Sequence, residues 1–419
     1  MSPLALAGVW VAAGVAGASG MRTRRARRLA GLAPLVAGAL GILTTTGSTA
    51  GPFASVRFGG DLALGRPELG LLVAVGPAVA LTLVLAPHLD GGEVLAVCLA
   101  GAASVVALAS THPVIWGLAL AVGVGAVTLR WISVAPSRAT LSAARVAGLG
   151  VAALLGAAVL LPVLATPSDV RAAIAGALLA AGIALVLGLA PVGGWAAGVG
   201  ATVRGADLAS WAFVLVPAVL LAARAAVGWL GGRSADAFAE TLLALGLLSA
   251  VYGGLHALLA RPSERYCRVL LADLGLIAAG LGTRREDGAL AVFVLLLAHL
   301  TAGPLLLNPA RPGIERPRRL AWLAVSGLPP SIAFWGRLLV LGALEATNGT
   351  ALLAGVAGMA MLAGAAVRGV GDPPDGAGGA PVPVLLRAAA WTAAAGTLVA
   401  GLAPAWIAGH VFGVDLGAG

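Results

Sequence analysis

Five ionisable side chains fall within long apolar runs in the second half of the chain, where burying a charge is costly. They are His256, Asp273, His299, Arg337 and Glu345. Histidine and carboxylate groups can bind and release protons, and a histidine does so near neutral pH. Arginine keeps its proton at ordinary pH, so it can hold a charge or fix an anion but cannot relay a proton. These five residues are therefore candidates for a sparse proton path.

Each candidate also has a plainer structural explanation. The two histidines could serve only as hydrogen-bonding groups between neighbouring helices. Asp273 lies one or two helical turns from an arginine-rich boundary, which favours an ion pair with Arg268. Arg337 could replace a cation at the membrane midplane, pair with Glu345, or extend its head group toward an interface.

Several kinds of chemistry are excluded by residue types that are absent or badly spaced. The chain contains no lysine, which excludes a phosphate-binding P-loop, a Schiff base and a lysine proton carrier. Its five histidines lie in five separate segments, and Cys98 and Cys267 have neither disulfide-framework nor metal-ligand spacing. We expect no catalytic residue, no bound metal and no cofactor.

Composition identifies the setting in which the candidates must work. Of 419 residues, 60% are hydrophobic and only 10% are charged, with a mean hydropathy of +1.00. Soluble domains carry about 25% charged residues. Such a chain cannot hide its apolar side chains in an aqueous core, so it is predicted to be an all-α polytopic membrane protein. A soluble enzyme, a nucleic-acid-binding protein and a secreted disulfide scaffold are excluded.

Fourteen apolar segments have about the length needed to cross a bilayer, which is roughly 20 residues. They are 3–20, 29–46, 68–87, 92–110, 113–133, 145–165, 170–190, 207–230, 237–260, 267–283, 288–308, 319–343, 350–368 and 385–410. We predict about 14 transmembrane helices in one membrane domain, 1–419. Within it we expect peripheral helices over 1–110, two repeats over 111–230 and 237–368, and a final helix over 385–410.

Arginine placement predicts the orientation. Six arginines fall in loops on one side (Arg57, Arg66, Arg171, Arg233, Arg284, Arg285), two fall within segments (Arg224, Arg337), and the other 18 of the 26 lie on the opposite side. Positive residues are enriched on the cytoplasmic side, so both termini are expected outside. This topology places Glu93 at a solvated inside loop. Tryptophans near segment ends are expected as interface anchors: Trp10, Trp116, Trp131, Trp229, Trp322 and Trp406.

Two Gly/Pro interruptions occur at related places. Gly188-Leu-Ala-Pro191-Val-Gly-Gly-Trp195 ends the seventh segment, and Gly327-Leu-Pro329-Pro330 interrupts the twelfth segment ahead of Trp335. Corresponding breaks of this kind are typical of inverted-repeat transporters. A separation of five segments, an odd number, would invert one repeat relative to the other. We predict broken seventh and twelfth helices.

Four stretches resemble one family, the antiporter-like membrane subunits of respiratory complex I, multisubunit cation/proton antiporters and membrane-bound hydrogenases. The stretch 57–72 is similar to that family's outside hairpin and third helix. Pro191-Val-Gly-Gly-Trp195 is similar to its Pro-Phe-His-x-Trp motif. The segment 263–275 is similar to Lys-Arg-x-x-Ala-Tyr-Ser-Ser. The most specific match is 326–337, Ser-Gly-Leu-Pro-Pro-Ser-Ile-Ala-Phe-Trp-Gly-Arg, to Ala-Gly-x-Pro-Pro-x-x-Gly-Phe-x-x-Lys.

The resemblance implies a hydrated axis of titratable residues along the membrane midplane, and this chain has lost most of it. No carboxylate lies at 115–121, where the family carries a glutamate. The family's lysines correspond to Val186, to 215–217 and to Gly303, and its motif histidine corresponds to Gly193. Only Arg337 keeps a cation. The first half is therefore expected to lack charges at mid-depth, whereas the second half keeps a few.

The expected function is that of an antiporter-like subunit in a larger complex of the NADH:quinone oxidoreductase, hydrogenase or cation/proton antiporter type. It would act as a scaffold or a partial proton path, with partner membrane subunits carrying any redox chemistry. A purely structural subunit and a stand-alone transporter of a small solute are the alternatives. The alanine-, glycine- and arginine-rich composition suggests a GC-rich bacterial genome, hence a multi-pass protein of the bacterial inner membrane. Its partners would be the lipid bilayer and other subunits, not nucleic acid.

Overall fold

The computed structural model describes residues 3–19, 56–58, 62–64, 66–86, 90–110, 112–163, 170–191, 195–203, 205–308, 311–372 and 382–403. The first half contains α1 (Pro3–Ser19), β1 (Val56–Phe58), β2 (Leu62–Leu64), α2 (Arg66–Leu85), α3 (Gly91–Ala109), α4 (Pro113–Val134), α5 (Arg138–Val163), α6 (Val170–Leu187), α7 (Trp195–Thr202), α8 (Gly205–Ala209) and α9 (Val216–Trp229). A π-helical stretch, Ser210–Leu215, joins α8 to α9. The second half contains α10 (Gly232–Leu259), α11 (Pro262–Gly282), α12 (Glu286–Leu307), α13 (Glu315–Ser326), α14 (Ile332–Glu345), α15 (Gly349–Val370) and α16 (Val384–Leu402).

The predicted membrane fold is confirmed. Nine stretches of the described residues are helical, long and apolar enough to cross a membrane, and shorter apolar helices lie at 7–16 and 74–85. The predicted segments coincide with helices, except that 29–46 lies outside the described residues, so the total of 14 stays a prediction. Three helices, α5, α10 and α11, begin five to seven residues earlier than their apolar segments. Hydropathy marks only the apolar part of a helix, whereas the backbone hydrogen bonds continue into its polar first turns.

A short antiparallel hairpin precedes α2. Its strands β1 and β2 pair with Val56 opposite Leu64 and Phe58 opposite Leu62. The resemblance predicted a hairpin at this place in the chain, and the hairpin is the one β element among the described residues.

Both predicted helix breaks are confirmed, and their backbones are alike. Gly188 ends α6 with φ +77°, and Gly327 ends α13 with φ +72°. Only glycine adopts this left-handed conformation without a steric penalty, which explains why the residue recurs. Three residues later each break has a proline, Pro191 and Pro330, and each proline follows a cis peptide bond.

Close backbone contact holds the second half together. A Cβ placed on Gly246 of α10 would lie 2.7 Å from the carbonyl oxygen of Gly275 on α11, and one placed on Gly282 would lie 2.7 Å from that of Ala239. Small residues permit this approach, and dispersion between the two backbones replaces the hydrophobic driving force that is absent in lipid. The contact fixes α11, which carries Asp273, against the bundle.

Candidate functional site

A fully buried ion pair lies beside the second helix break. Asp273 on α11 and Arg337 on α14 are 0% and 1% exposed. Nε of Arg337 donates to Oδ1 of Asp273 at 2.9 Å, and Nη2 donates to Oδ2 at 2.9 Å. This two-point geometry is the strongest form of an arginine–carboxylate pair. It also neutralises two charges that could not be buried separately.

The same guanidinium closes the broken helix. Nη2 of Arg337 donates to the carbonyl oxygen of Val325 at 2.8 Å, and Nη1 donates to that of Ser326. These are the last carbonyls of α13, which have no partner within the helix and form the negative end of its dipole. The other break needs no such cation. There Leu189 and Gly188 donate their backbone N–H groups back to Ala184 and Leu185, at 2.8 and 3.2 Å.

A hydrogen-bonded chain continues from the ion pair to α12 and back to α11. Nε2 of His299 lies 3.0 Å from Oδ2 of Asp273, and Nδ1 of His299 lies 3.3 Å from the hydroxyl of Tyr266. With a proton on Nε2, the histidine donates to the carboxylate and Nδ1 accepts from the tyrosine. Tyr266, His299 and Asp273 thus form a continuous hydrogen-bonded chain of three groups that carry or can bind exchangeable protons, and Arg337 holds a fixed charge at its end.

The structure thus brings together three of the five sequence candidates, and their pairings differ from the alternatives above. Arg268 binds Glu264 at 2.8 Å, one turn earlier on α11, so its predicted pair with Asp273 is not formed. Residue 273 faces the bundle interior, whereas Arg268 is partly exposed.

The other two candidates lie apart from this chain. Glu345 is exposed at the end of α14, so it does not pair with Arg337. His256 on α10 is half-buried, and the centroid of its ring lies 4.2 Å from the ring centroid of the exposed Tyr252. Among the hydrogen bonds of the described residues, none joins His256 or Glu345 to Asp273.

Aromatic side chains lie against two of the positions at which the resemblance implies a lysine, Gly303 and Val186. A Cβ on Gly303 would lie 2.6 Å from the ring of Phe213 and closer still to the hydroxyl of Tyr266. The carbonyl oxygen of Val186 accepts a hydrogen bond from Nε1 of Trp211 at 3.4 Å. No larger side chain could occupy position 303 without displacing these rings.

Three tryptophans form a cluster in the first half, which we call the tryptophan cluster. Trp131, Trp195 and Trp211 come from α4, α7 and the π-helical stretch, with ring centroids 5.7 Å (131–195), 5.7 Å (195–211) and 6.5 Å (131–211) apart. All three are buried. The prediction that Trp131 is an interface anchor is therefore wrong. It is also wrong for three further buried tryptophans, Trp10, Trp116 and Trp322. These side chains near the segment ends pack against other helices and do not contact lipid head groups. The side chains of Trp229 and Trp406 lie outside the described residues.

A second charged cluster was missed by the sequence analysis. Arg130 on α4 donates from Nε to Asp207 at 2.7 Å and from Nη2 to Asp90 at 2.8 Å. Asp90 and Glu93 exchange hydrogen bonds between side chain and backbone, which caps α3. Glu93 is only 1% exposed, so its assignment to a solvated loop was wrong. The first turn of α3 enters the bundle because α4 and α8 pack over it.

The charge state of Asp90 follows from its partners. Burial raises the pKa of this carboxyl. The hydrogen bond and charge of Arg130, together with the backbone N–H groups of Glu93 and Gly92, lower the pKa by more than burial raises it. The net pKa lies below the ordinary aspartate value, and Asp90 is ionised at neutral pH.

Comparison of the whole chain with solved structures gives a consistent result. A chain of respiratory complex I from Thermus thermophilus matches with a TM-score of 0.79 and 22% identity, over 97% of this chain and 98% of that one. The chain has the antiporter-like fold. A chain of an archaeal membrane-bound sulfane sulfur reductase matches with a TM-score of 0.80 and 17% identity, over 99% and 78%. A chain of the Mrp complex from Dietzia sp. DQ12-45-1b matches with 0.74 and 16%, over 96% and 93%.

The likeness lies in the fold and not in the sequence. No protein-family model and no curated protein sequence matches the chain. At this identity the antiporter-like fold can persist because its helix lengths and small-residue contacts depend on the class of residue at most positions and not on its exact identity.

Proposed function

We propose that this protein is an antiporter-like subunit of a larger multisubunit membrane complex, in which it serves as a scaffold and carries a partial proton path in its second half. The complex would be of the respiratory, hydrogenase or cation/proton antiporter type, and partner subunits would carry any redox chemistry. The proposed cellular location is the bacterial inner membrane, with both termini on the outside, as the arginine distribution predicts.

The observation that carries the proposal is the buried chain Tyr266–His299–Asp273, which ends on Arg337. The family resemblance implies a midplane axis of titratable residues, and at this place three groups with exchangeable protons are joined by two hydrogen-bond contacts. Arg337 cannot release a proton, so its part is electrostatic: it compensates the charge of the Asp273 carboxylate and fixes that carboxylate within hydrogen-bond distance of His299.

The scaffold part of the proposal is supported by the first half. The tryptophan cluster fills the interior next to Val186, where the family resemblance placed a lysine. A proton path through roughly 30 Å of hydrocarbon needs repeated polar groups and room for water. Packed indole rings offer neither, so proton movement is proposed for the second half alone.

Proton uptake by energised native membrane vesicles tests the proposal, with the wild-type protein compared with His299→Ala and Arg337→Ala. We expect slower uptake in both variants, because one loses the middle of the chain and the other loses the charge that holds Asp273 in place. Glu345→Gln is the matched control, since that carboxylate is exposed and lies outside the chain.

Unchanged uptake in both variants would instead establish a purely structural subunit. One observation favours that second candidate: Arg337 uses four of its five N–H donors on Asp273 and on the end of α13. In that case the role of Arg337 is to cap the broken helix, and it takes no part in proton movement.

A further inference from the structure

The second charged cluster contains more negative than positive charge in a buried place. Arg130 binds Asp90 and Asp207, and Glu93 stands beside them, so three carboxyl groups share one cation. Asp90 is half-exposed and its charge is solvated, whereas the side chain of Asp207 is 0% exposed and Glu93 is 1% exposed. With both buried carboxyls ionised, this interior would hold two negative charges against one positive charge.

Glu93 shows how the excess is resolved. Its Oε2 accepts the backbone N–H of Asp90 at 3.3 Å, but its Oε1 is buried and has no hydrogen-bond partner among the described residues. An ionised carboxylate oxygen left without a partner in a buried place is expensive. Protonation removes the charge, and a neutral carboxyl without a partner costs much less to bury than an ionised one.

The neighbours of Glu93 are consistent with a proton there. The elements packed against α3 are α1, α4, α8, the π-helical stretch, α9 and β2, and their charged residues are Arg130, Asp207 and Arg224. Arg224 lies over the ring of Phe293 at 5.2 Å and is directed to α12. Asp207 repels a charge on Glu93, and Arg130 is already committed to the two aspartates.

We propose that Glu93 and Asp207 bind one proton between them, which makes the buried Glu93–Arg130–Asp207 group an electrically neutral proton-binding site. The site adjoins the tryptophan cluster, because Nε1 of Trp131 donates to the backbone carbonyl of Asp207 at 3.1 Å. The proton exchanges with the side of the membrane on which Asp90 is exposed, and it does not pass the indole rings. This inference goes beyond the proton path at Asp273 and does not depend on it.

Infrared difference spectroscopy of the purified full-length protein in detergent at neutral pH tests the proposal. The probe is the C=O stretch of a protonated carboxyl, which an ionised carboxylate lacks. We expect Glu93→Gln to remove one such band, and Asp207→Asn to remove the same band, because Glu93 then ionises against Arg130. The control Glu345→Gln, an exposed carboxylate, should leave the band unchanged.

Two outcomes would overturn the proposal. If the Glu93→Gln spectrum loses a carboxylate band and keeps every protonated-carboxyl band, Glu93 is ionised. If Asp207→Asn leaves the protonated band in place, the proton belongs to Glu93 alone and is not shared. Glutamine at position 93 keeps the side-chain oxygen that accepts the backbone N–H of Asp90 and caps α3. If that variant still fails to fold, wild-type protein with ¹³C-labelled glutamate shows whether the protonated carboxyl is a glutamate. Its C=O band shifts on labelling only if a glutamate carries the proton.

Discussion

At the scale of single residues, the site is governed by how buried charges are compensated. Asp273 and Arg337 are each acceptable in the interior only because the other is present, and Arg337 gains further partners in the carbonyls of Val325 and Ser326. The arginine at this position holds a charge that it cannot release at ordinary pH. In the proposed function, proton exchange therefore belongs to the groups beside Arg337, namely Asp273, His299 and Tyr266.

The first prediction concerns the cost of breaking that pair. Asp273→Asn leaves a buried guanidinium without its counter-ion and should lower the free energy of unfolding by about 3–5 kcal/mol. Asp236→Asn is the matched control, because Asp236 pairs with Arg284 in an exposed ion pair, and such pairs contribute about 0–1 kcal/mol. Denaturant unfolding in detergent micelles, followed by tryptophan fluorescence, measures both.

Equal losses in the two variants would contradict a buried, mutually dependent pair. Removing both charges together, as in Asp273→Leu with Arg337→Met, should recover much of the stability lost by Asp273→Asn, because neither partner is then left unpaired.

At the scale of elements, the two helix breaks show one backbone solution with two ways of satisfying the helix end. The α6 end is closed by backbone hydrogen bonds at Gly188, whereas the α13 end at Gly327 is closed by the side chain of Arg337. The second break is thereby linked to α11 through Asp273. It is also covered by α16, since Nε1 of Trp335 donates to the carbonyl oxygen of Gly401 at 2.7 Å.

The second prediction tests the glycine of this break. Gly327→Ala should destabilise the protein by about 1–2 kcal/mol from its left-handed backbone alone, and its Cβ would lie 2.9 Å from Cζ of Arg337. Gly342→Ala is the matched control within α14, where a Cβ meets no atom within 4 Å. That substitution should be neutral or stabilising by up to about 1 kcal/mol.

Thermal unfolding in the same detergent measures this pair of variants. A Gly327→Ala protein as stable as Gly342→Ala would show that the left-handed turn and the Arg337 cap do not hold the two half-helices in register.

At the scale of the whole molecule, the two halves of an antiporter-like fold have different interiors. The second half carries a buried hydrogen-bonded chain at Asp273, whereas the first half carries the tryptophan cluster and a charged cluster at the start of α3. The outer faces of many helices are apolar and exposed, including Leu118, Val122 and Leu129 on α4. Lipid or partner subunits must cover these faces.

The third prediction concerns the assembly of this chain with other membrane subunits. When the full chain is tagged at its chromosomal locus and purified from native membranes in a mild detergent, further integral membrane subunits should be purified with it. Mass spectrometry of the purified particle identifies them, and an unrelated multi-pass protein tagged in the same way is the control. Recovery of this chain alone, as a homo-oligomer, would contradict the proposed assembly.

The sequence by itself determined the class of fold and the places where it is interrupted. Apolar segments of membrane-spanning length predicted the helices, because lipid forces each backbone to satisfy its own hydrogen bonds. The repeated Gly-Leu-x-Pro pattern predicted both breaks, because left-handed glycine and proline act locally on the chain. Three residues of the candidate site, Asp273, His299 and Arg337, were also found from the sequence, since an ionisable group in an apolar run is conspicuous, whereas Tyr266 was not.

Only the tertiary structure decided which charges meet. Asp273 was expected beside Arg268, its neighbour on the same helix, but the helix rotation turns residue 273 toward α12 and α14. Glu93 was expected at a solvated loop and Asp207 was not singled out, and only the packing of α3, α4 and α8 buries them around Arg130. Pairing across helices depends on their rotation and depth, which are set by contacts between segments far apart in the chain and leave no local pattern in the sequence.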